Sequence, residues 1–349
     1  MRKQLLLAVA VLAALALVVV GIQWWQSLRM SEFQRAISLA PVGAQRLTYT
    51  DWAAARQQLD ADLDTDSPGN DVDQFLADAF EEDLSPMSAL LESTPTMHDR
   101  FPFSPVTLDW ELLSQSEEGA VVLMRLPEGT DFDALEDDIE RLGYQRPDDE
   151  GDVWLGGIDL LPSIGILTPE LQYLALDADQ RLVVSSDTED YLRQAMETVT
   201  GDADSVEGLD GVVEAMDEPL AAAVYDGQVA CSSLAMGSAD AADQDEAAQL
   251  IAAAGEVNSM TWFAMAVEPG IGVRVAMSFE NEDQARANAD SRAALASGPA
   301  PGQGGDFSDR FRLGTVSAEG SVMTMELEPE DREYLLSDLT SGPVLFATC

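Results

Sequence analysis

Between Asp62 and Asp73 the sequence DLDTDSPGNDVD sets carboxylates at its first, third, fifth and twelfth positions. Oxygens at that spacing let one turn of backbone wrap a calcium ion. Two positions depart from the pattern. Ser67 stands sixth, where glycine allows the sharp turn, and Asp73 stands where a longer, bidentate glutamate closes the shell. In a chain with 64 acidic residues such spacing also arises without a ligand. The stretch therefore reads first as a solvated acidic linker, with Asp62, Asp64, Asp66 and Asp73 as the ligands of the alternative calcium loop.

Cys231 and Cys349 are the only cysteines, and Cys349 ends the chain in GPVLFATC. His98 is the only histidine, so neither a cysteine–histidine zinc set nor a histidine triad assembles around them. An even cysteine count behind an export signal reads as a disulfide. Cys231–Cys349 would pin the apolar tail VLFAT as a terminal strand. No G-x-S-x-G is present, and Lys3 is the only lysine, so neither a nucleophile elbow nor a phosphate loop can be completed. The glycine pairs in EPGIGVRV and GQGG are read as turns, and no cofactor is implied. Two carboxylates acting as acid and base, as in glycoside hydrolysis, are the one catalytic alternative. Nothing in the spacing locates such a pair.

Eighteen basic against 64 acidic residues give a net charge of −46, which repels the phosphates of nucleic acids and excludes them as partners. The N-terminus supplies an address. Arg2 and Lys3 precede an uncharged run from Leu5 to Ile22, long enough as a helix to cross a bilayer, and Trp24 and Trp25 follow at interfacial positions. Residues 1–26 read as an uncleaved signal anchor that holds the chain in the membrane through residues 5–25, with the acidic part outside the cell.

The elements that would carry any site repeat. Residues 27–105 read as a juxtamembrane helical and linker region. An outward helix runs to Pro41, TYTDWAAARQQL forms a helix capped by Thr50, and short helices lie at DQFLADAF and SPMSALLE. From Val106 the pattern is a hairpin and then a helix, four times. The hairpins are residues 106–126, 171–186, 261–279 and 311–327. The helices after them open on acids and stop at or before Gly143, Gly201, Gly298 and Gly342. The fold class is α+β, in duplicated antiparallel-sheet halves over residues 106–205 and 206–349, each with helices on one face. DVWLGG and PLAAAVYDG would add strands.

LTYTDWAAAR, GGDFSDRFRL and the closing GPVLFATC resemble an uncharacterised group of membrane-anchored cell-envelope proteins of actinobacteria. The resemblance implies an envelope location and brings no activity. Together these readings describe a non-enzymatic, tethered binding or scaffold module whose partner is an envelope protein or wall component. A carboxylate-dependent hydrolase and a calcium-stabilised module are the alternatives.

Overall fold

AVVLM, residues 120–124, has no polar face, as a strand covered on both sides requires. In VMTMEL, residues 322–327, buried methionines alternate with half-exposed residues, as in a strand covered on one side. Both belong to one sheet. The structure, a computed structural model, describes residues 30–149, 151–270, 272–331 and 333–349. The signal anchor expected at residues 1–26 lies outside them. Among the described residues no helix is long and apolar enough to cross a membrane.

Eleven strands, counted among the described residues, form a single sheet in which every pairing is antiparallel. They are β1 (Arg46–Thr50), β2 (Trp110–Gln115), β3 (Ala120–Arg125), β4 (Trp154–Leu155), β5 (Tyr173–Asp177), β6 (Leu182–Ser186), β7 (Ala221–Asp226), β8 (Trp262–Glu268), β9 (Gly272–Ser278), β10 (Phe311–Glu319) and β11 (Val322–Pro329). Their spatial order is β10-β11-β9-β8-β7-β1-β2-β3-β6-β5-β4. The helices among the described residues are α1 (Glu32–Ile37), α2 (Trp52–Gln58), α3 (Gly69–Glu81), α4 (Thr94–Arg100), α5 (Phe132–Leu142), α6 (Leu161–Ile164), α7 (Glu189–Thr200), α8 (Asp210–Glu214), α9 (Gly227–Ser233), α10 (Ala241–Ala254), α11 (Glu282–Leu295) and α12 (Leu335–Ser341).

One face of the sheet packs on α1, α7 and α8 through Phe33, Ala36, Tyr191, Leu192 and Val212. The other face carries two cores. Trp52, Phe75, Met97 and Ile139 of α2 to α5 cover β2, β3, β5 and β6, whereas Ala285, Leu295 and Leu336 of α11 and α12 cover β7 to β11. The segment 83–90 ties these two cores together. Its Leu84 and Leu90 join the first core and its Met87 the second.

Asp83, at the start of that segment, takes the left-handed conformation (φ 56°) and accepts hydrogen bonds from the backbone N–H groups of Leu336 and Ser337. It thereby satisfies the otherwise unpaired first turn of α12 from 253 residues away. Asp83→Gly keeps that backbone at no steric cost and deletes only the cap, so it is expected to cost about 1–2 kcal/mol. Urea denaturation checks this, and a loss within the error of the extrapolation would show that water replaces the carboxylate.

The sequence reading needs correction in four places. RLTYT is the central strand β1, not linker, and Asp51 rather than Thr50 caps the helix after it, its carboxylate accepting from the Ala54 N–H at 2.8 Å. The outward helix to Pro41 is instead the short α1, capped by Ser31, with Phe33, Ala36 and Ile37 buried against the sheet. SPMSALLE forms turns from Ser85 to Leu90 between the two cores, and only its last two residues wind, opening a 3₁₀ turn over Leu91–Ser93 that leads into α4. The expected halves are not separate sheets with helices on one face: β1 pairs with both β2 and β7, so the sheet is continuous and helices lie on both faces. The four hairpins pair as expected, with strands also at Trp154–Leu155 and Ala221–Asp226.

Candidate functional site

At the end of β1, where the chain enters α2, a cleft of about 500 Å³ is lined by Glu32, Tyr49, Asp51, Gln57 and Glu218 among others. Asp51 is there because it caps α2, and Tyr49 because alternation along β1 turns it to the α1 face. Burial raises the Asp51 carboxyl above its ordinary pKa, with repulsion from Glu32 and Asp109 adding to it. Both Asp51 oxygens are nevertheless engaged. One accepts the Ala54 N–H, and the other accepts the Tyr49 hydroxyl at 3.3 Å. Glu32 accepts the Trp110 indole N–H at 3.0 Å. The two carboxylates thus serve a helix cap and a buried indole, a poor arrangement for delivering and removing protons.

Glu111 is the carboxyl moved furthest from its ordinary range among the described residues. It sits on β2 at 1% exposure and accepts the Trp52 indole N–H at 2.9 Å and the Ala89 N–H at 2.8 Å. Burial pushes its carboxyl up to about 7. Glu111 does not line the cleft. It anchors the segment 83–90 to the sheet.

The acidic stretch is not assembled as a calcium loop. Asp64 spends its carboxylate on its own turn, accepting the Asp66 N–H at 2.9 Å and the Ser67 hydroxyl at 3.1 Å. Pro68 then opens α3 and carries Asp73 away on that helix. His98 from α4 bonds the Ser67 carbonyl at 2.7 Å and fastens the turn to the body of the protein. Among the described residues no three or more His, Cys, Asp or Glu side chains converge as a metal site.

Cys231 of α9 and Cys349 are joined in a disulfide, with their α-carbons 5.8 Å apart. The tail before Cys349 is buried, but as a single 3₁₀ turn over Leu345–Ala347 and not as a strand. Arg292 of α11 explains why. Its guanidinium is at 0% exposure and donates to the carbonyls of Phe346 at 2.6 Å, Thr348 at 2.9 Å and Asn258 at 2.7 Å. In a strand these two carbonyls would point to one side but stand about 7 Å apart, too far for one nitrogen to reach both, whereas the turn brings both to Nη1. Among the described residues no carboxylate forms an ion pair with the group, and burial lowers its pKa to about 10.

Besides single exposed side chains such as Val42 and Phe80, apolar surface is exposed on one loop and in one groove. Beyond β4, Ile158 and Ile166 are 74% and 77% exposed on a loop whose Leu161 and Ile164 are buried. Between α1 and α8 a groove of about 400 Å³ runs past Met30, Ile37, Val206 and Val213, with Asp210 and Glu214 also in its lining. Neither was expected from the sequence, although GIDLLPSIGIL carries more large apolar residues than one buried face of so short a segment can use.

No family model matches the chain, and no curated protein does. Two solved structures, crystal forms I and III of TP0453, are similar over 88% of this chain and 98% of theirs, at 8% sequence identity and TM-scores of 0.37 and 0.40. Similarity at that level carries no argument about architecture or activity.

Proposed function

We propose that the protein is an extracytoplasmic binding module, held in the cell membrane by residues 5–25 and accessory to a complex of the cell envelope. The observation that carries this reading is the loop with Ile158 and Ile166, each about three-quarters exposed. Two large apolar side chains held outward by buried neighbours lose hydration only when a partner covers them. The partner is an envelope protein or wall component. The cleft supports a hydrolase less well, because its Asp51 and Glu32 are committed to structural hydrogen bonds.

We also infer that the ectodomain arose by duplication. The pairing orders β1-β2-β3-β6-β5 and β7-β8-β9-β11-β10 have the same connectivity, and β1 and β7 each lead into a helix capped by an aspartate, Asp51 and Asp226. The antiparallel β1–β7 pair would then mark an approximate two-fold axis.

Crosslinking and pull-down from native membranes tests the binding reading, comparing the parent chain with Ile158→Asp/Ile166→Asp. Both positions are exposed, so the double variant is expected to melt within about 1 °C of the parent. It should lose the principal crosslinked species. Protease added to intact spheroplasts should remove the acidic part in both. Retention of every crosslink by a folded double variant would rule out this loop as the contact, and protection from protease would reverse the orientation.

A further inference from the structure

Eighteen basic residues stand among 64 acidic ones, and most of the described arginines accordingly have a carboxylate partner. Arg146 alone meets Glu136 at 2.6 Å, Asp137 at 2.8 Å and Glu140 at 3.1 Å. Three arginines at one end of β2, β3 and β6 are treated differently. Arg125 ends β3 opposite Trp110 of β2, and Arg181 lies one step before β6, with the Leu126 N–H donating to its carbonyl at 2.8 Å. Arg35 comes from α1, the helix whose Glu32 accepts the Trp110 indole.

Two carboxylates serve these three guanidinium groups at long range. Glu32 is 3.5 Å from Arg35 Nε, and Asp109 is 3.4 Å from Arg181 Nη1. Arg125 Nη1 donates to the Gln180 carbonyl, and Arg181 Nη1 to the Leu126 carbonyl at 2.9 Å. Nε of Arg35 and Nε of Arg125 are buried and make no hydrogen bond, the first having only its longer ion pair with Glu32. Among the described residues, Nη2 of Arg125 and Nη2 of Arg181 donate to nothing. A chain so rich in acids leaves most of the donors of three adjacent cations unused.

The backbone adds a second observation. Arg181 holds φ at 54°, in the left-handed region that a turn ordinarily gives to glycine or asparagine. Strain of this kind persists where the side chain is wanted. Burial, with the charges of Arg181 and Arg35, also keeps the Arg125 guanidinium below its ordinary pKa, and the opposing attraction of Glu32 and Asp109 does not restore it.

We propose that Arg35, Arg125 and Arg181 form a binding site for a phosphate group. Planar guanidinium forks pair with oxyanions through two parallel N–H bonds, and a doubly charged group with three free oxygens can engage three forks where a carboxylate engages one or two. Because the rest of the surface repels anions, a ligand held here is selected by local geometry and not drawn in by the overall field. The group is a phosphomonoester, on a lipid headgroup or on a soluble molecule; the chemistry of recognition is the same for both.

The test uses the full-length chain in a neutral detergent. Inorganic phosphate is expected to raise the melting temperature by about 5 °C beyond sodium chloride of equal ionic strength. Arg125→Gln and Arg181→Gly should each abolish the difference. Arg181→Gly relieves the backbone, so this variant should melt close to the parent in chloride and its loss of response reports the site rather than the fold. Mixed micelles separate the two sources. A rise with phosphatidic acid, whose phosphate is a monoester, over phosphatidylcholine, lost in both variants, supports the site and assigns a headgroup; a rise with inorganic phosphate alone supports it and assigns a soluble ester. Equal melting temperatures in phosphate and chloride, or a phosphate response that survives both substitutions, would overturn the proposal.

Discussion

Deleting residues 345–349 is expected to melt the wing of the sheet built on β7 to β11 well below the temperature at which the parent unfolds, by more than about 10 °C. Three losses coincide. The disulfide spans 118 residues, and closing a loop of roughly 100 residues is worth about 4.7 kcal/mol in the chain-entropy account, often less when measured. Leu345 and Phe346 leave a core that holds Phe307 and Phe311, at about 1.5–3 kcal/mol each. The Arg292 guanidinium loses two of its carbonyl partners and remains inside, which costs about 1–3 kcal/mol for each unmet group. Cys231→Ser removes only the first of these, so it should destabilise less than the deletion and by the same amount as reductant. Thermal melts of parent, deletion and Cys231→Ser, with and without reductant, measure the separation. Should the deletion melt no lower than Cys231→Ser, Arg292 would not need its tail. Should reductant change nothing although both thiols can then be labelled, the disulfide would be dispensable.

The second large effect is a dependence of stability on pH that traces to Glu111. Its carboxyl titrates near 7 in the folded protein against an ordinary value of 4.5, so the folded state binds the proton more tightly than the unfolded chain. A group raised in this way contributes stability that is complete below about pH 4.5 and is lost as pH rises through about 7. From pH 5 to pH 8 the loss amounts to roughly 2–3 kcal/mol. Glu111→Gln keeps the shape and one acceptor but cannot ionise, and its pH profile should be flatter than the parent's by that amount. Urea midpoints of both proteins at pH 5 and 8 give the comparison. Parallel profiles would mean that Glu111 stays ionised throughout, its hydrogen bonds from Trp52 and Ala89 outweighing its burial.

Much of the sheet was legible because hairpins announce themselves locally. Glu117-Glu118-Gly119, Pro269-Gly270 and Glu319-Gly320 each supply a turn between two apolar runs, and Gly143 and Gly201 take the left-handed conformation that closes α5 and α7. β1 was missed for the opposite reason. RLTYT has no hairpin partner nearby, and its mates β2 and β7 lie tens of residues and almost two hundred residues away, beyond what local pattern can report. The disulfide could be read because only one pairing was possible. Its wrongly predicted strand shows the limit of that inference, since apolar composition gives burial and not conformation. Arg292 had left a trace: with Ala285, Asn288, Ala289 and Leu295 it falls on one helical stripe, the buried side of α11. Nothing comparable marks Arg35, Arg125 and Arg181, which come from a helix, a strand end and a turn. In the acidic stretch, the spacing of Asp62, Asp64, Asp66 and Asp73 suggested a ligand shell where Pro68 and Ser67 instead direct a turn and a helix start.

The place of β1 in the middle of the sheet constrains the order in which the protein can be made. The first strand of the chain to appear is flanked by β2 on one side and, on the other, by β7, which follows after more than half the remaining sequence. Contacts of such sequence separation form slowly, and a chain that emerges from its N-terminus reaches a stage at which β1, β2, β3, β6 and β5 can already pair while β7 does not yet exist. At that stage the backbone donors and acceptors along one side of Arg46–Thr50 form a raw edge able to template pairing with any extended chain nearby. Export across a membrane before the second wing is complete would prolong that exposure. The topology therefore leaves the early half in need of protection along that side of β1 until β7 pairs with it.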